Sequence, residues 1–205
     1  MKVIAGLGNP GQKYELTRHN VGFLFLDQLQ LHWRFPPFKS GKKELLSEGM
    51  IKGEKVALIK PQTYMNLSGE SVVPYCRFFK VDPIDLLVVH DDLDLQPMQL
   101  KLKSGGGTGG HNGLKSIEEV WGSGKNGYAR LRIGIGKPQT VGSRLSPSDY
   151  VLGTLSKDEI ENFEKAIPGM IQAVELWIDG KLDRAMNQLN QKIKLNQQKN
   201  TVEDE

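Results

Sequence analysis

A chain of 205 residues, 38% hydrophobic and 25% charged, is long enough to bury one sizeable core, and that balance excludes an intrinsically disordered protein. No apolar run nears the roughly 18 residues of a membrane span, and the short stretch after Lys2 closes in glycines too early for a signal peptide. Net charge is only +3, yet between Gln96 and Pro147 eight basic residues (Lys101, Lys103, Lys115, Lys125, Arg130, Arg132, Lys137, Arg144) face two acidic ones (Glu118, Glu119), which points to a basic face for a polyanion as readily as to a solvated surface.

Lys2–Leu7 is a short β-branched and apolar run ending in glycines, and Val21–Trp33 carries apolar residues on a broad helical face, so strand, loop and helix open the chain. Glu44–Ile51 and Lys55–Lys60 flank Lys52-Gly53-Glu54 and read as a hairpin. Ser68–Lys80 is helical in pattern, with Pro74 expected to kink it or delay its start. The single cysteine, Cys76, lies here among Val72, Val73, Phe78 and Phe79, which favours core packing; with no partner for an internal disulfide it fits a reducing cytoplasm. Asp85–His90 is a continuous apolar run of the kind buried on both faces of a sheet, and it stops at Asp91-Asp92. After the glycines of Gly105–Gly110, His111–Val120 is helical in pattern and Tyr128–Gly136 alternates like a strand. Lys157 to about Lys194 is helical with a break expected at Pro168-Gly169. Strands alternating with helices, and one hairpin among them, predict an α/β fold: a three-layer single domain with a twisted, mostly parallel mixed sheet flanked by helices. It is expected to occupy residues 1–190, with 191–205 as a frayed tail.

Several segments carry residue types suited to chemistry. Gly6-Leu7-Gly8-Asn9-Pro10-Gly11 spells the dinucleotide-binding string directly after a strand, but Pro10 has no N–H for a pyrophosphate and no acidic residue closes a second strand about twenty positions on. A rigid turn that presents the Asn9 amide to a ligand, or a merely structural turn, fits better. Arg18-His19-Asn20 sets an imidazole at a helix start near Asn9. His90-Asp91-Asp92-Leu93-Asp94 begins at the end of the buried strand, where α/β sheets place ligand sites. His90, Asp91, Asp94 and His111 match no zinc spacing, whereas Asp91 beside His19 would select one imidazole tautomer and support the imidazolium formed on proton uptake. Asn66 or Ser68 reads equally as a helix N-cap. The glycines before His111 lose much entropy on folding and mark a lid or a ligand-lining loop.

Six segments taken in order, GLGNPG (Gly6–Gly11), TRHNVG (Thr17–Gly22), MNLSG (Met65–Gly69), HDDLDL (His90–Leu95), GGGTGGHNGL (Gly105–Leu114) and RLRIGIG (Arg130–Gly136), resemble the bacterial peptidyl-tRNA hydrolase family, and the likeness extends to about Leu189. The resemblance implies a monomeric cytoplasmic α/β enzyme that cleaves the ester joining a peptide or N-blocked amino acid to the 3′ ribose of tRNA, with neither metal nor cofactor. It implies that His19 is the catalytic base and Asp91 its partner, that Asn9, Tyr14, Met65, Asn66, His111 and Asn112 bind the peptide and ester ends, and that Lys103 and Arg130 clamp a tRNA phosphate. The acceptor stem and 3′ end would be read by shape and phosphate contacts. Asp92 stands where many members have glutamate, Thr108 where many have histidine or serine, and Gln96-Pro97-Met98 replaces a turn richer in proline and glycine. A noncatalytic RNA-binding protein on the same scaffold is the rival reading, and a nucleotide-cofactor enzyme a third that Pro10 disfavours.

Overall fold

A computed structural model describes residues 1–122, 127–138 and 145–190. The expected tail at 191–205 lies outside the described residues, as do Lys125 and Arg144 of the basic stretch. The strands are β1 (Lys2–Gly6), β2 (Lys39–Ser40), β3 (Glu44–Ile51), β4 (Glu54–Pro61), β5 (Leu86–Asp92), β6 (Leu100–Ser104) and β7 (Ala129–Gly134), which form one seven-stranded sheet in the order β2-β3-β4-β1-β5-β7-β6. The four central strands β4, β1, β5 and β7 run parallel, and antiparallel pairings finish both edges. The helices are α1 (Val21–His32), α2 (Gly69–Phe78), α3 (Asn112–Trp121), α4 (Pro147–Val151) and α5 (Lys157–Ile178), followed by helical residues 182–190.

Alternation along the central strands builds two cores. Ile4, Leu87 and Val89 face α1 and α5, meeting Phe25, Leu29, Met170 and Trp177. Val3, Ala5 and Val88 face α2 and α3, meeting Val72, Cys76, Leu114 and Ile117. Because helices cover both faces, β5 is apolar without interruption until it reaches the sheet's C-terminal edge, where His90-Asp91-Asp92 emerge.

The start of α1 is drawn tightly onto that edge. A Cβ on Gly6 would overlap the Gly22 carbonyl, and one on Gly22 would overlap the backbone of Leu7 and the Val89 carbonyl. Two side-chain-free residues therefore let helix and strands approach as backbone against backbone, which sets the turn before α1 beside the end of β5.

Neither proline ends its helix, and the break expected at Pro168-Gly169 does not occur. α2 begins at Gly69 and runs through Pro74, and α5 runs through Pro168. Both lie on exposed positions, so the carbonyl each leaves without an intrahelical donor can turn to water while the buried face stays packed. The break in the last helical stretch comes instead at Gly180, at φ 75°, with the Lys181 N–H donating to the Leu176 carbonyl at 2.8 Å and the Gly180 N–H to Trp177 at 2.9 Å, a Schellman ending. β2, β6 and α4 were not expected from the sequence.

Candidate active site

The C-terminal edge of the parallel strands opens into a cavity of about 730 Å³, and loops from widely separated parts of the chain line it. Asn9 follows β1. His19 sits in a 3-10 turn, Arg18–Asn20, leading into α1; Met65 and Asn66 sit in a second 3-10 turn, Met65–Leu67, leading into α2. Asp91 ends β5, and His111 and Asn112 begin α3. All of these side chains border the one cavity, with Thr108, Gly109 and Gly110 of the glycine loop and Pro147, Ser148, Val151 and Leu152 also lining it.

At its floor His19 Nδ1 lies 2.8 Å from Asp91 Oδ1, and His111 Nε2 lies 3.0 Å from the same oxygen. The proton positions follow from the partners. The Gly113 and Leu114 backbone N–H groups donate to His111 Nδ1 at 3.2 and 3.4 Å, so this nitrogen is an acceptor and its proton is on Nε2, donated to Asp91. Asp91 is buried, and burial pushes its carboxyl up, but its interactions with His19 and His111, including the hydrogen bonds both rings donate to it, outweigh that and hold it well below the usual carboxylate range. An ionised carboxylate only accepts, so His19 Nδ1 donates; in the neutral ring the lone pair is then on Nε2, and His19 borders the cavity.

His90 completes the row without sharing its charge. Its Nδ1 donates to the Asp91 carbonyl at 2.6 Å and its ring meets His111 edge-on at 4.8 Å. Burial, and next the neighbouring His111, push its pKa down to about 3, so the ring stays neutral.

Asn9 is held as a one-sided donor. Its Oδ1 accepts the Met65 N–H at 2.8 Å, which leaves the NH₂ for the cavity. Its backbone is gripped on both sides by Asn20, whose Oδ1 accepts the Asn9 N–H and whose Nδ2 donates to the Asn9 carbonyl, each at 2.9 Å. Asn20 precedes α1 yet makes no capping bond, because its amide is spent on Asn9.

His19, Asp91 and His111 offer ligand atoms within 4.8 Å of one another. As arranged, both ring nitrogens are used as donors to one carboxylate oxygen, which is a proton-holding relay; a metal would have to displace both protons.

This cavity, with its histidine–aspartate pair and asparagine donors at a sheet edge, sits in a chain whose residues 3–199 match the model of the family described as Peptidyl-tRNA hydrolase. The chain belongs to this family. It is 44% identical over 190 residues to the peptidyl-tRNA hydrolase of Brevibacillus brevis, covering 93% of this chain and 98% of that one. It is 42% identical over 193 residues to that of Bacillus subtilis, covering 94% and 100%. The crystal structure of peptidyl-tRNA hydrolase from Acinetobacter baumannii superposes with a TM-score of 0.85 at 42% identity, covering 93% of this chain and 94% of that one.

Against the expectations for a peptidyl-tRNA hydrolase, His19, Asp91, Asn9, Met65, Asn66, His111 and Asn112 come together in one cavity, and Tyr14 does not line it. The Tyr14 ring instead lies under Lys13 Nζ at 4.8 Å. Lys103 and Arg130 are paired neighbours across β6 and β7, outside the cavity. Lys103 is half-buried among positive charge: burial first, then Arg132, Arg130 and Lys101, lower its pKa. Arg130, expected with Lys103 as a phosphate clamp, has its Nη atoms engaged by protein groups. It is 2% exposed, with Nη1 donating to the Gly107 carbonyl at 2.7 Å and Nη2 to Gly106 at 2.6 Å and Glu118 at 2.7 Å. Here it acts as a brace under the glycine loop.

Asn20 and α4 escaped the sequence reading as parts of the site, and His90 entered it only as a possible metal ligand. Asn20 was visible only as the third letter of Arg18-His19-Asn20, and no periodicity marks a side chain that grips backbone eleven residues away.

Proposed function

We propose that this chain hydrolyses the ester between a peptide, or an N-blocked amino acid, and the 3′ oxygen of tRNA, releasing the free tRNA for translation in the cytoplasm. The observation that carries the reading is the His19–Asp91 pair: a buried carboxylate fixes the imidazole, which borders a cavity ringed by asparagine amides. His19 Nε2 takes a proton from water as the water oxygen bonds to the ester carbonyl carbon. Asp91 stabilises the imidazolium so formed, and the tetrahedral oxyanion is met by amide N–H donors, for which Asn9, Asn66 and Asn112 are placed around the cavity. Collapse breaks the bond to the ribose 3′ oxygen, which takes the proton back from His19. The residues supply a base, a counter-charge and donors, so the reaction needs no serine or cysteine nucleophile, metal or cofactor, and one copy of the domain in residues 1–190 carries it.

Lys103, which reaches Gly106, and its strand neighbour Arg130 are the phosphate contacts in this reading, and contacts of this kind weaken with salt. The test is release of free tRNA from N-acetyl-aminoacyl-tRNA compared with unblocked aminoacyl-tRNA. The blocked substrate is expected to be cleaved in preference, and His19→Ala to fold yet lose nearly all turnover. Cleavage of neither substrate would put the noncatalytic RNA-binding reading ahead, and full turnover by His19→Ala would remove that residue from the mechanism.

A further inference from the structure

His19 is flanked by two residues whose side chains bind separate parts of the chain. Asn20 ties it to the first loop. Arg18 ties it to the far end of the chain: Nε and Nη2 donate to Glu159 Oε1 and Oε2 at 2.7 and 2.8 Å, a two-pronged ion pair in which both side chains are only 16% exposed. The Arg18 guanidinium also lies over the Tyr150 ring at 4.6 Å, and Tyr150 in α4 donates its hydroxyl to the Ile135 carbonyl just beyond β7 at 2.7 Å. Backbone joins the same two segments. The Arg18 N–H donates to the Gly153 carbonyl at 3.0 Å, the Leu155 N–H to Leu16 at 2.8 Å, and Thr17 and Thr154 form an isolated antiparallel bridge.

Glu159 is itself anchored. It is the third residue of α5, and its Oε2 accepts the Ser156 N–H at 2.7 Å in a capping box, so its carboxylate is fixed before Arg18 meets it. α4 carries Val151 into the cavity wall, and Leu152 follows directly after it. One guanidinium therefore connects a fixed helix start, the wall of the cavity and the residue next to the base.

We infer that Arg18 is a positioning residue for the hydrolytic reaction, holding the His19 turn and the α4 wall of the cavity in one fixed relation through Glu159 and Tyr150. This rests on the hydrolase reading for its kinetic consequence but not for its structural one. Arg18 does not line the cavity, so it acts through His19 and α4 and not on the substrate. Charge alone is insufficient for the role. A lysine keeps the charge but lacks the planar fork that engages both carboxylate oxygens while stacking on an aromatic ring.

The full-length chain carrying Arg18→Lys, Arg18→Gln, Glu159→Gln or the double glutamine change is to be assayed for kcat and KM on N-acetyl-aminoacyl-tRNA and for Tm. A displaced base lowers kcat by about 10- to 100-fold, since misplacement near 1 Å costs about this much. The drop is expected in Arg18→Lys as well, with a smaller change in KM. The double variant should fall no further than either glutamine single, and the reversed pair Arg18→Glu with Glu159→Arg should recover part of kcat. Tyr75→Phe, which removes a hydrogen bond to Glu48 far from the cavity, controls for stability: it should lower Tm with kcat unchanged. A second readout needs no turnover. The proton on His19 Nδ1, bonded to Asp91, has its own downfield NMR resonance, which Arg18→Gln should shift or broaden and Tyr75→Phe should not. Kinetics in Arg18→Lys within twofold of the unsubstituted chain, or an unchanged His19 resonance in Arg18→Gln, overturns the inference. Absent turnover in the unsubstituted chain overturns the hydrolase reading and leaves the resonance to decide the role of Arg18.

Discussion

Replacing Asp91 by asparagine isolates what its charge does, because the change keeps the size of the side chain and an oxygen able to accept from both rings. His111 Nε2 must still donate, since the α3 backbone holds its other nitrogen as an acceptor, and so the new amide oxygen is expected to stay where Oδ1 is now. What disappears is the negative charge 2.8 Å from His19 Nδ1. With charge centres ~4 Å apart and an effective dielectric constant of ~20, a unit charge pair is worth about 4 kcal/mol. That stabilisation counts fully only once His19 has become an imidazolium, so the barrier should rise by up to about 4 kcal/mol, or up to about 10³-fold in kcat. Single-turnover release of tRNA from N-acetyl-aminoacyl-tRNA measures it directly. A variant that keeps kcat within threefold of the unsubstituted chain would refute both the assigned tautomer and the role of the charge. Stability gives an independent check. The carboxyl pKa in the folded state lies below the unfolded value of about 3.9, so its contribution is present above about pH 5 and lost as pH falls through the depressed folded value. The Tm difference between the two proteins should therefore be full near neutrality and shrink in acid.

Three further outcomes are expected. Asn9→Asp retains the acceptor for the Met65 N–H but replaces the NH₂ facing the cavity by a negative oxygen, and should cost about 10²-fold in kcat if that donor meets the oxyanion, with little change in Tm. Arg130→Gln leaves the Gly106 and Gly107 carbonyls without their donors, at a cost on the order of 2 kcal/mol; Tm should fall by about 4–8 °C and amide hydrogen exchange should quicken across residues 105–110. Gly180→Ala forces a side chain into the left-handed region at φ 75°, so Tm should drop by about 2–4 °C while turnover is unaffected.

The parts of the fold that could be read from the chain are those where one local rule dominates. β5 was legible because burial on two faces leaves no room for polar residues, and the hairpin of β3 and β4 because a glycine turn separates two apolar runs. β6 carries a period-two pattern in LKLKS, but it drew notice for its charge, and only pairing with β7 makes it a strand. Pro168 misled because the effect of a proline depends on which helix face it occupies, a tertiary fact. At the site, His19 and Asp91 were legible as residue types at element ends. The reorientation of Arg130 was not, since a buried arginine and a surface one are spelled alike until the glycine loop folds over it. The grip of Asn20 on Asn9 was hidden for the same reason: it is a contact between a side chain and a backbone that no spacing encodes.

His111 has two duties on one ring. The nitrogen that caps the first turn of α3 and the nitrogen that donates to Asp91 are rigidly 1,3-related on an imidazole, so the helix and the carboxylate cannot move independently. A side chain elsewhere in the cavity can escape by rotating about its own bonds; this one cannot leave Asp91 without exposing the N–H groups of Gly113 and Leu114. The counter-charge of the base is thus registered against an entire secondary-structure element, and any swing of the glycines at 105–110 has to hinge before residue 111. The geometry at Asp91 is therefore set by α3 and not by the glycine loop that precedes it.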